Sequence, residues 1–233
     1  MIKVEIINKE EIKNIYKNWG EFACECYNTP IKYAEKVGKS CFNSGHYSGS
    51  RTEYIKFKIT GISRSCSLQL NRHKIGVVLN QQSQRYVDMN NVDFVIPPQV
   101  EKIPEAKELY LELVKNSKET YKEIQKLLRD NGRTKEQSNE DARFCLLESC
   151  ETSGTWGFTL EALEHFMNMR LCTRSQWEIR QLANEMRKAV LEVLPELKDK
   201  LVPMCEKMLY CTEDKCCGRK PKKEDLLELI NNK

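Results

Sequence analysis

Apolar and polar residues alternate in parts of the chain, and this alternation predicts strands. In "EYIKFKITG" the side chains of Ile55, Phe57 and Ile59 share one face, opposite lysines and a threonine, which is the period of a half-buried strand. "SQRYV" also predicts an extended segment, in which Ser83 and Arg85 project to the same side. Two further short strands are predicted in "NVDFVIPP", which two prolines close, and in "SGTWGFT".

A helical period follows the first of these strands. The pattern predicts a helix from Arg64 to about Lys74, with Ser63 as its cap. Positions three and four residues apart lie on one face of a helix. Three polar side chains would therefore share a face of this helix: Gln69, Arg72 and His73.

Three longer helices are predicted farther along the chain. One spans about 105–128, one covers "LEALEHFMNMRL", and one begins at "QWEIRQLANEMRKAVLEVL". "RDNGRTKEQSNED" predicts a polar turn, and "ARFCLL" predicts a strand or the end of a helix. Early strands among many helices indicate an α+β or mixed α/β domain with a single core.

Arg170 interrupts the apolar face of one of these helices. Leu163, Phe166, Met167 and Leu171 form a stripe at helical spacing, and Arg170 falls in the middle of it. An arginine is almost never fully buried without a partner. Either its guanidinium reaches solvent or pairs with a carboxylate in the core, or it binds an anionic ligand in a cleft.

Composition and charge indicate a cytoplasmic protein without a membrane segment. The 233 residues are 40% hydrophobic and 31% charged, enough to bury a sizeable core, and no apolar run approaches the roughly 20 residues that span a bilayer. The N-terminus lacks the apolar stretch of a secretory signal. The eleven cysteines are expected to be reduced, and a net charge of +4 spread along the chain suits small anions better than a nucleic acid polymer.

The polar side chains that could bind a ligand are mostly guanidinium and amide groups, and the sequence contains no recognisable motif for a nucleophile. The chain contains no Walker loop, no GxGxxG, no HExxH and no GxSxG elbow, so the usual nucleotide, zinc-protease and serine-hydrolase signatures are absent. Guanidinium, amide and hydroxyl groups bind phosphate and the edges of heterocycles, although a solvated basic surface would have the same composition. The side chains concerned are Gln69, Arg72, Lys74, Gln82, Ser83, Arg85, Arg143 and Arg170.

The C-terminal segment 204–233 is rich in cysteine and basic residues. Cys205, Cys211, Cys216 and Cys217 could hold zinc, but they lack paired CxxC knuckles, and adjacent cysteines make awkward ligands. We therefore expect a metal-free tail that follows a domain spanning residues 1–203.

Several motifs, in this order, resemble those of the flavin-dependent thymidylate synthases, the thymidylate synthase complementing protein family. They are "SGHYS", "ITGISRSC", "RHK" followed by "QSQRYV", "EDAR" and "MRLCTRSQWEIRQLA". The resemblance covers residues from about Cys26 to Ala183. It implies an α+β (mixed α/β) fold, a single domain with a central twisted, mainly antiparallel sheet flanked by long helices, which assembles as a homotetramer with shared active sites.

The resemblance also implies a reaction. In this family dUMP is methylated to dTMP: methylenetetrahydrofolate supplies the carbon, and FAD that NADPH has reduced supplies the hydride. The flavin carries the chemistry and the protein supplies orientation and charge, which agrees with the lack of a nucleophile motif. Arg170 would be the catalytic residue, lying against the uracil and polarising it.

Family positions correspond to two sets of residues in this chain. The set implied for dUMP is Gln69, Arg72, Gln82, Ser83, Arg85, Arg143 and Arg170. The set that matches or neighbours the FAD contacts is His46, Ser48, Arg72, His73, Lys74, Gln81, His165 and Arg174. The resemblance implies no metal ligand.

Departures from the family pattern concern the flavin side of the site. Lys74 replaces the second arginine of Arg-His-Arg and lacks its bidentate fork, and the segment from Lys74 to Ser83 is one residue longer than usual. Arg51 and Thr52 replace a Glu-His pair, and Thr159 replaces an asparagine. Two alternatives therefore stand beside a thymidylate synthase: a related flavoenzyme that methylates or hydroxymethylates another pyrimidine nucleotide, and a nucleotide-binding homologue with impaired flavin turnover.

Overall fold

One antiparallel sheet of four strands lies within residues 1–231, the part of the chain that the computed structural model describes. The strands are β1 Lys3–Ile6, β2 Ile55–Ser63, β3 Val77–Gln81 and β4 Glu151–Phe158. They are hydrogen-bonded in the order β1-β2-β4-β3. The predicted mixed α/β class with an antiparallel sheet and long helices is thereby confirmed, while residues 232–233 of the predicted tail lie outside the described residues.

The helices within the described residues include the three long ones that periodicity predicts. Periodicity predicts long helices near 105–128, at "LEALEHFMNMRL" and at "QWEIRQLANEMRKAVLEVL". The structure confirms them as α6 Pro104–Asp130, α8 Leu160–Arg170 and α9 Trp177–Leu191. None of the described helices is both long and apolar enough to cross a membrane. In chain order they are α1 Lys9–Ile12, α2 Ile15–Cys26, α3 Ala34–Asn43, α4 Arg64–Leu70, α5 Pro98–Glu101, α6 Pro104–Asp130, α7 Lys135–Ala142, α8 Leu160–Arg170, α9 Trp177–Leu191, α10 Met204–Met208 and α11 Lys223–Asn231.

Strand β2 follows the predicted alternation. Ile55, Phe57 and Ile59 are fully buried, as expected for the apolar face of a half-buried strand. Ser63 also acts as predicted: its Oγ accepts a hydrogen bond from the backbone N–H of Cys66 at 2.9 Å, which satisfies one of the free donors at the start of α4.

Helix α4 ends at Leu70, so the predicted extension to Lys74 is wrong. Arg72 and His73 lie in the turn that follows and do not share a helical face with Gln69. The side chain of Asn71, in the same turn, accepts a hydrogen bond from the indole nitrogen of the buried Trp156 at 3.0 Å. Because this partner is distant in the sequence, a helical period could not reveal where the helix stops.

The segment "SQRYV" is a turn, and the predicted extended segment there is wrong. The N–H of Val87 donates to the carbonyl of Ser83 at 3.1 Å, and the side chain of Asn139 donates to the carbonyl of Arg85 at 2.8 Å. These bonds fold the backbone on itself, so Ser83 and Arg85 do not project from one face of a strand.

Two other local predictions are corrected. "NVDFVIPP" is not a strand of the sheet, because it makes only an isolated bridge, between Phe94 and Cys150. The "polar turn" of "RDNGRTKEQSNED" contains helix α7, which begins with a capping box between Thr134 and Gln137. "ARFCLL" begins with a 3-10 turn, Arg143–Cys145, directly after α7, which confirms the end of a helix.

The chain divides into two compact units. Unit 1 comprises Met1, Ile59–Leu70 and Asn80–Gly154, and unit 2 comprises Ile2–Lys58, Asn71–Leu79 and the chain from Thr155 onward. The core of unit 1 joins α6 and α7 to the end of the sheet through Met89, Tyr121, Ala142 and Cys150, all of them buried.

The core of unit 2 is aromatic. Phe57 on β2 meets Phe158 on β4 with ring centroids 6.0 Å apart, and Phe158 meets Phe166 on α8 at 5.5 Å. Helices α2 and α3 touch backbone to backbone, because a Cβ added at Gly38 would overlap the carbonyl oxygen of Tyr16. The contact between Phe158 and Phe166 packs α8, which carries Arg170, against β4.

Candidate active site

Arg170 ends helix α8 and is held by a histidine. Leu163, Phe166 and Met167 of the same helix are fully buried, as the stripe predicts, while Arg170 is partly exposed. Its Nε donates a hydrogen bond to Nε2 of His73 at 3.0 Å. An arginine that donates to an imidazole keeps its full charge, so the guanidinium is a fixed cation with its position set by His73.

His73 is neutral at pH 7. Burial, the charge of Arg170 and the proximity of His165 lower the pKa of His73 from 6.5 to about 4. Its ring packs edge-on against Phe166 at 5.0 Å between centroids. Since Nε2 accepts the bond from Arg170, the proton of the neutral ring is on Nδ1.

A cavity of about 630 Å³ in unit 2, the α8 cavity, is lined by residues of helix α8, among them His165 and Asn168. Its volume is in the range of small-molecule sites. Tyr54 and Ile75 give it apolar walls, and His165 is the one residue of the predicted FAD set among the residues lining it within the described chain. The full lining is Tyr47, Arg51, Tyr54, Ile75, Gly76, Thr159, Glu161, Ala162, Glu164, His165, Asn168, Met204 and Lys207.

A buried carboxylate in the α8 cavity escaped prediction. Glu164 is 4% exposed and accepts hydrogen bonds from the hydroxyl of Tyr47 at 2.5 Å and from Nζ of Lys207 at 2.5 Å. Burial and this carboxylate raise the pKa of the Tyr47 hydroxyl well above 10. Lys207 belongs to α10, so this ion pair ties the C-terminal segment to α8.

Asn168 presents a buried acceptor without a partner. The residue is 4% exposed, and its Oδ1 has no hydrogen-bond partner. It lines both the α8 cavity and a second cavity of about 460 Å³, the tail cavity, which Arg170 and Arg174 also line. A buried polar atom without a partner is rare in folded proteins and is commonly satisfied by a ligand or water.

The remaining predicted FAD residues of unit 2 are on its surface. His46 is exposed, and its Nδ1 lies 3.4 Å from the hydroxyl of Tyr27. Nε of Arg174 lies 3.7 Å from a carboxylate oxygen of Glu213. Ser48, Arg72 and Lys74 are exposed as well.

Arg51, one of the departures from the family pattern, has an acidic partner. Its Nε lies 3.0 Å from Oε2 of Glu161, and both side chains are largely exposed. Such a pair contributes little to stability. It does place two opposite charges at the edge of the α8 cavity.

Unit 1 contains a third cavity, of about 310 Å³, which we call the arginine cavity. Arg64 and Arg143 both line it, as does Gln81. Gln81 donates to the hydroxyls of Ser67 and Thr152 at 2.9 and 3.1 Å, so its amide is fixed. Arg64 donates through Nη2 to the carbonyl of Gln82 at 3.1 Å, while its Nε is buried without a partner.

Glu140 brings two of the predicted dUMP residues together. Arg85 forms an ion pair with its carboxylate at 3.2 Å, and Nε of Arg143 donates to its backbone carbonyl at 3.2 Å. The hydroxyl of Ser83 accepts from the N–H of Arg85 at 3.2 Å. Gln69 is on α4 and is partly buried.

The predicted residues fall in both units. Gln69, Gln81, Gln82, Ser83, Arg85 and Arg143 belong to unit 1, whereas His46, Ser48, Arg72, His73, Lys74, His165, Arg170 and Arg174 belong to unit 2.

Sequence reasoning missed Tyr47, Arg64, Glu164, Asn168 and Lys207. For Glu164 a signal was present. It lies beside Leu160 and Leu171 at the edge of the apolar face of α8, an anomaly similar to the one that marked Arg170. For Lys207 no local signal exists, because only the chain fold brings it to α8.

All eleven cysteines lie within the described residues and none forms a disulfide. Within residues 1–231 no group of three or more His, Cys, Asp or Glu side chains is placed to hold a metal ion.

Comparison with known proteins identifies the family. Residues 5–196 match the thymidylate synthase complementing protein family. A flavin-dependent thymidylate synthase of Nitratidesulfovibrio vulgaris is 38% identical over 189 residues, which cover 80% of this chain and 77% of that protein. Another, from Thermococcus kodakarensis, is 38% identical over 228 residues, 91% of this chain and 89% of that protein.

A solved structure has the same fold. The crystal structure of thymidylate synthase X from Helicobacter pylori with FAD and dUMP superposes with a TM-score of 0.60, and it covers 86% of this chain and 99% of that one at 16% sequence identity. The motifs, the match over residues 5–196 and the identities over most of the chain agree, and the protein belongs to the thymidylate synthase complementing protein family, the flavin-dependent thymidylate synthases.

Proposed function

We propose that this protein methylates dUMP to dTMP in a FAD-dependent reaction, with methylenetetrahydrofolate as carbon donor and NADPH as reductant. Family membership supports the reaction. The observation that carries the proposal is Arg170, a partly exposed guanidinium that the neutral ring of His73 holds in place. A fixed cation stabilises the negative charge that grows in a uracil ring when carbon 5 becomes a nucleophile.

Unit 1 supplies donors for the nucleotide. Arg85 pairs with the carboxylate of Glu140, and Arg143 donates to the backbone carbonyl of the same residue. A phosphate group of dUMP is an anion, as that carboxylate is, and can accept bidentate hydrogen bonds from both guanidinium groups. Gln82 is positioned by Arg64. The residues that we assign to dUMP are Gln69, Arg72, Gln82, Ser83, Arg85, Arg143 and Arg170.

The residues of unit 2 fit FAD. Apolar walls at Tyr54 and Ile75, and an unsatisfied buried acceptor at Asn168, suit a large heterocycle that carries N–H and hydroxyl donors. The cationic side chains among the residues assigned to FAD at the end of this paragraph suit the pyrophosphate of FAD. When bound, FAD supplies the hydride for the transferred carbon. The residues that we assign to FAD are His46, Ser48, Arg72, His73, Lys74, Gln81, His165 and Arg174.

In the proposed reaction, the residues of this chain bind and orient the ligands and hold protons in place. His73 keeps its proton on Nδ1 and fixes Arg170 through Nε2. Arg170 polarises the uracil and is the catalytic residue of the proposal. Because the flavin and folate carry the bond-making chemistry, no side chain has to act as a covalent nucleophile.

We further propose a cytoplasmic homotetramer with shared active sites. Residues 1–203 would form the catalytic domain and residues 204–233 the tail. Sharing among subunits would allow the dUMP residues of units 1 and 2 to come from different chains of the tetramer.

The first experiment is an absorbance spectrum of the purified protein with added FAD, before and after anaerobic NADPH with dUMP. A bound flavin that bleaches on reduction, followed by dTMP formation when methylenetetrahydrofolate is added, is the expected result. A protein that binds dUMP but no flavin would instead be a nucleotide-binding homologue. Product analysis by mass spectrometry separates dTMP from a hydroxymethyl product, which would identify the related flavoenzyme.

A further inference from the structure

The start of the C-terminal segment lines both cavities beside helix α8. We call residues 203–213 the strap. Met204 and Lys207 of the strap line the α8 cavity together with His165. Met204 also lines the tail cavity, together with Arg170. The strap therefore lies against residues that we assign to FAD and to dUMP, although the sequence predicts a tail that is separate from the domain.

A buried carboxylate attaches the strap to α8. Oε1 of Glu164 accepts a hydrogen bond from Nζ of Lys207 at 2.5 Å, and Oε2 accepts one from the hydroxyl of Tyr47. The side chain of Glu164 is 6% exposed, whereas that of Lys207 is 47% exposed. Removing one partner of a buried ion pair leaves the other charge buried and unpaired, which costs more than the loss of an exposed pair. Lys207 therefore holds the strap firmly to the helix.

A second ion pair attaches the far end of the strap. Nε of Arg174 lies 3.7 Å from Oε2 of Glu213, and the two side chains are 43% and 45% exposed. Solvent screens a pair of this kind, so its contribution is small. The strap thus has a strong attachment at Lys207 and a weak one at Glu213, and a change at Lys207 should loosen it.

Asn168 has a buried acceptor that faces the same two cavities as the strap. It is 4% exposed, and its Oδ1 has no hydrogen-bond partner among the described residues. Like Met204, it lines both cavities. Buried acceptors are almost always satisfied in folded proteins, and FAD carries N–H and hydroxyl donors. A ligand that donates to Asn168 from either cavity enters a space that Met204 helps to enclose, and a methionine thioether packs favourably against aromatic rings.

We propose that the strap is a wall of the FAD site and that the ion pair between Glu164 and Lys207 holds this wall against α8. Met204 contacts the bound FAD, and Glu164 and Lys207 are positioning residues that act through the strap. The assignment of FAD as the ligand rests on the proposed function. Because FAD contacts the strap only when the strap is held in place, FAD binding and attachment of the strap stabilise each other.

Hydrogen–deuterium exchange of the full-length protein tests the attachment without reference to activity. Amides exchange faster in a segment that opens easily than in one that is held in place, so we expect peptides covering 203–213 to exchange about tenfold faster in Lys207→Met than in the wild type. Saturating FAD should slow their exchange in the wild type. Lys215→Met removes the same charge at an exposed position farther along the tail and should exchange as the wild type does. Equal exchange in Lys207→Met and the wild type would overturn the attachment.

FAD titration followed by flavin fluorescence tests the wall. We expect the Kd for FAD to rise by about fivefold or more in Glu164→Gln and in Lys207→Met. Met204→Ala should also raise the Kd, but with little change in exchange of the strap, because the ion pair is intact in that variant. Lys215→Met is again the matched control and should bind FAD as the wild type does.

Two outcomes of the titration would overturn the wall while leaving the proposed function intact. Wild-type affinity for FAD in Glu164→Gln, Lys207→Met and Met204→Ala would show that the strap does not contact FAD. Tighter binding in Lys207→Met would show that the strap obstructs the site. A wild-type protein that binds no FAD would defeat the proposed function and the wall with it, and the exchange of Lys207→Met would still decide whether the ion pair holds the strap.

Discussion

At the scale of single residues, Arg170 and His73 define the candidate site. A positive group and an imidazole in contact would repel each other if both were charged, and the low pKa of His73 avoids this. The imidazole serves as an acceptor that aims the guanidinium through Nε. Position as well as charge is therefore expected to matter for Arg170.

Arg170→Lys keeps the charge but removes the Nε donor and the planar fork. We expect turnover of dUMP to fall by about 10²-fold or more, as for the loss of a group that stabilises a transition state, and Arg170→Ala to lose at least as much. The measurement is dTMP formation at saturating dUMP. Arg133→Lys, at an exposed pair with Asp141, is the control and should match the wild type. If Arg170→Lys stays within a fewfold of it, Arg170 has only a structural role.

His73 gives the folded protein a defined response to acid. Its pKa is lowered from 6.5 to about 4 on folding, so between these values the unfolded chain binds a proton that the folded chain does not. Stability therefore falls as the pH decreases from about 6.5 to about 4 and is unaffected by this group above that window. His73→Gln keeps an acceptor but cannot titrate there.

Urea denaturation of both proteins at several pH values between 7 and 4 tests this. We expect the free energy of unfolding of the wild type to decline more steeply with acid than that of His73→Gln. Parallel curves would show that His73 has the same pKa in the folded and unfolded states and would contradict this prediction.

At the scale of elements, helix α8 sets the geometry of the site. It begins at Thr159, whose hydroxyl accepts from the N–H of Ala162 at 3.2 Å, and it carries His165, Asn168 and Arg170. The N–H of Thr159 also donates to the carbonyl of Gly76 at 2.9 Å. The cap thus fixes the start of the helix and its link to the turn after α4.

Thr159→Ala removes the cap and should lower the free energy of unfolding by about 1 kcal/mol. Thr159→Asn, the residue usual in the family, should retain the cap and stay close to the wild type. Chemical denaturation of the three proteins gives the comparison. Equal stabilities for the alanine and asparagine variants would mean that the cap hydrogen bond does not stabilise α8.

Elements with a continuous apolar period were predictable, and those fixed by distant partners were not. β2, α6, α8 and α9 follow their patterns because burial of one face decides their structure. Helix α7 carried a capping-box signal in Thr134 and Gln137, which the polar composition of its segment obscured. The end of α4 depends on the bond between Asn71 and Trp156, which no local pattern contains.

At the scale of the whole molecule, apolar side chains on α6 remain exposed in the single chain. Leu109 is 69% exposed and Leu113 is 52% exposed, and their spacing puts them on one face of the helix. Exposed leucines on one face suit contact with another subunit. This agrees with the proposed homotetramer.

Light scattering after size-exclusion chromatography should give four times the mass of one chain. The double variant Leu109→Glu with Leu113→Glu should give smaller species with an unchanged far-UV spectrum, since charges at a subunit contact cost more than charges in solvent. Lys122→Glu, an exposed site on the opposite side of the same helix, places a new negative charge outside this face and should stay tetrameric. A monomeric wild type would contradict the tetramer, and a tetrameric double variant would exclude this face.

The sequence alone determined the family, the class of fold, the long helices and the anomalous Arg170. These follow from periodicities and ordered motifs that lie within short stretches of chain. The motifs also indicated which side chains to assign to the nucleotide and flavin, and these assignments remain proposals.

Only the tertiary structure decided which groups meet. It paired Arg170 with His73, and Glu164 with Tyr47 and Lys207. Both arrangements join residues that are far apart in the sequence, and both depend on burial and on the path of turns. Burial and charged neighbours set the pKa of His73, which cannot be read from the order of the residues.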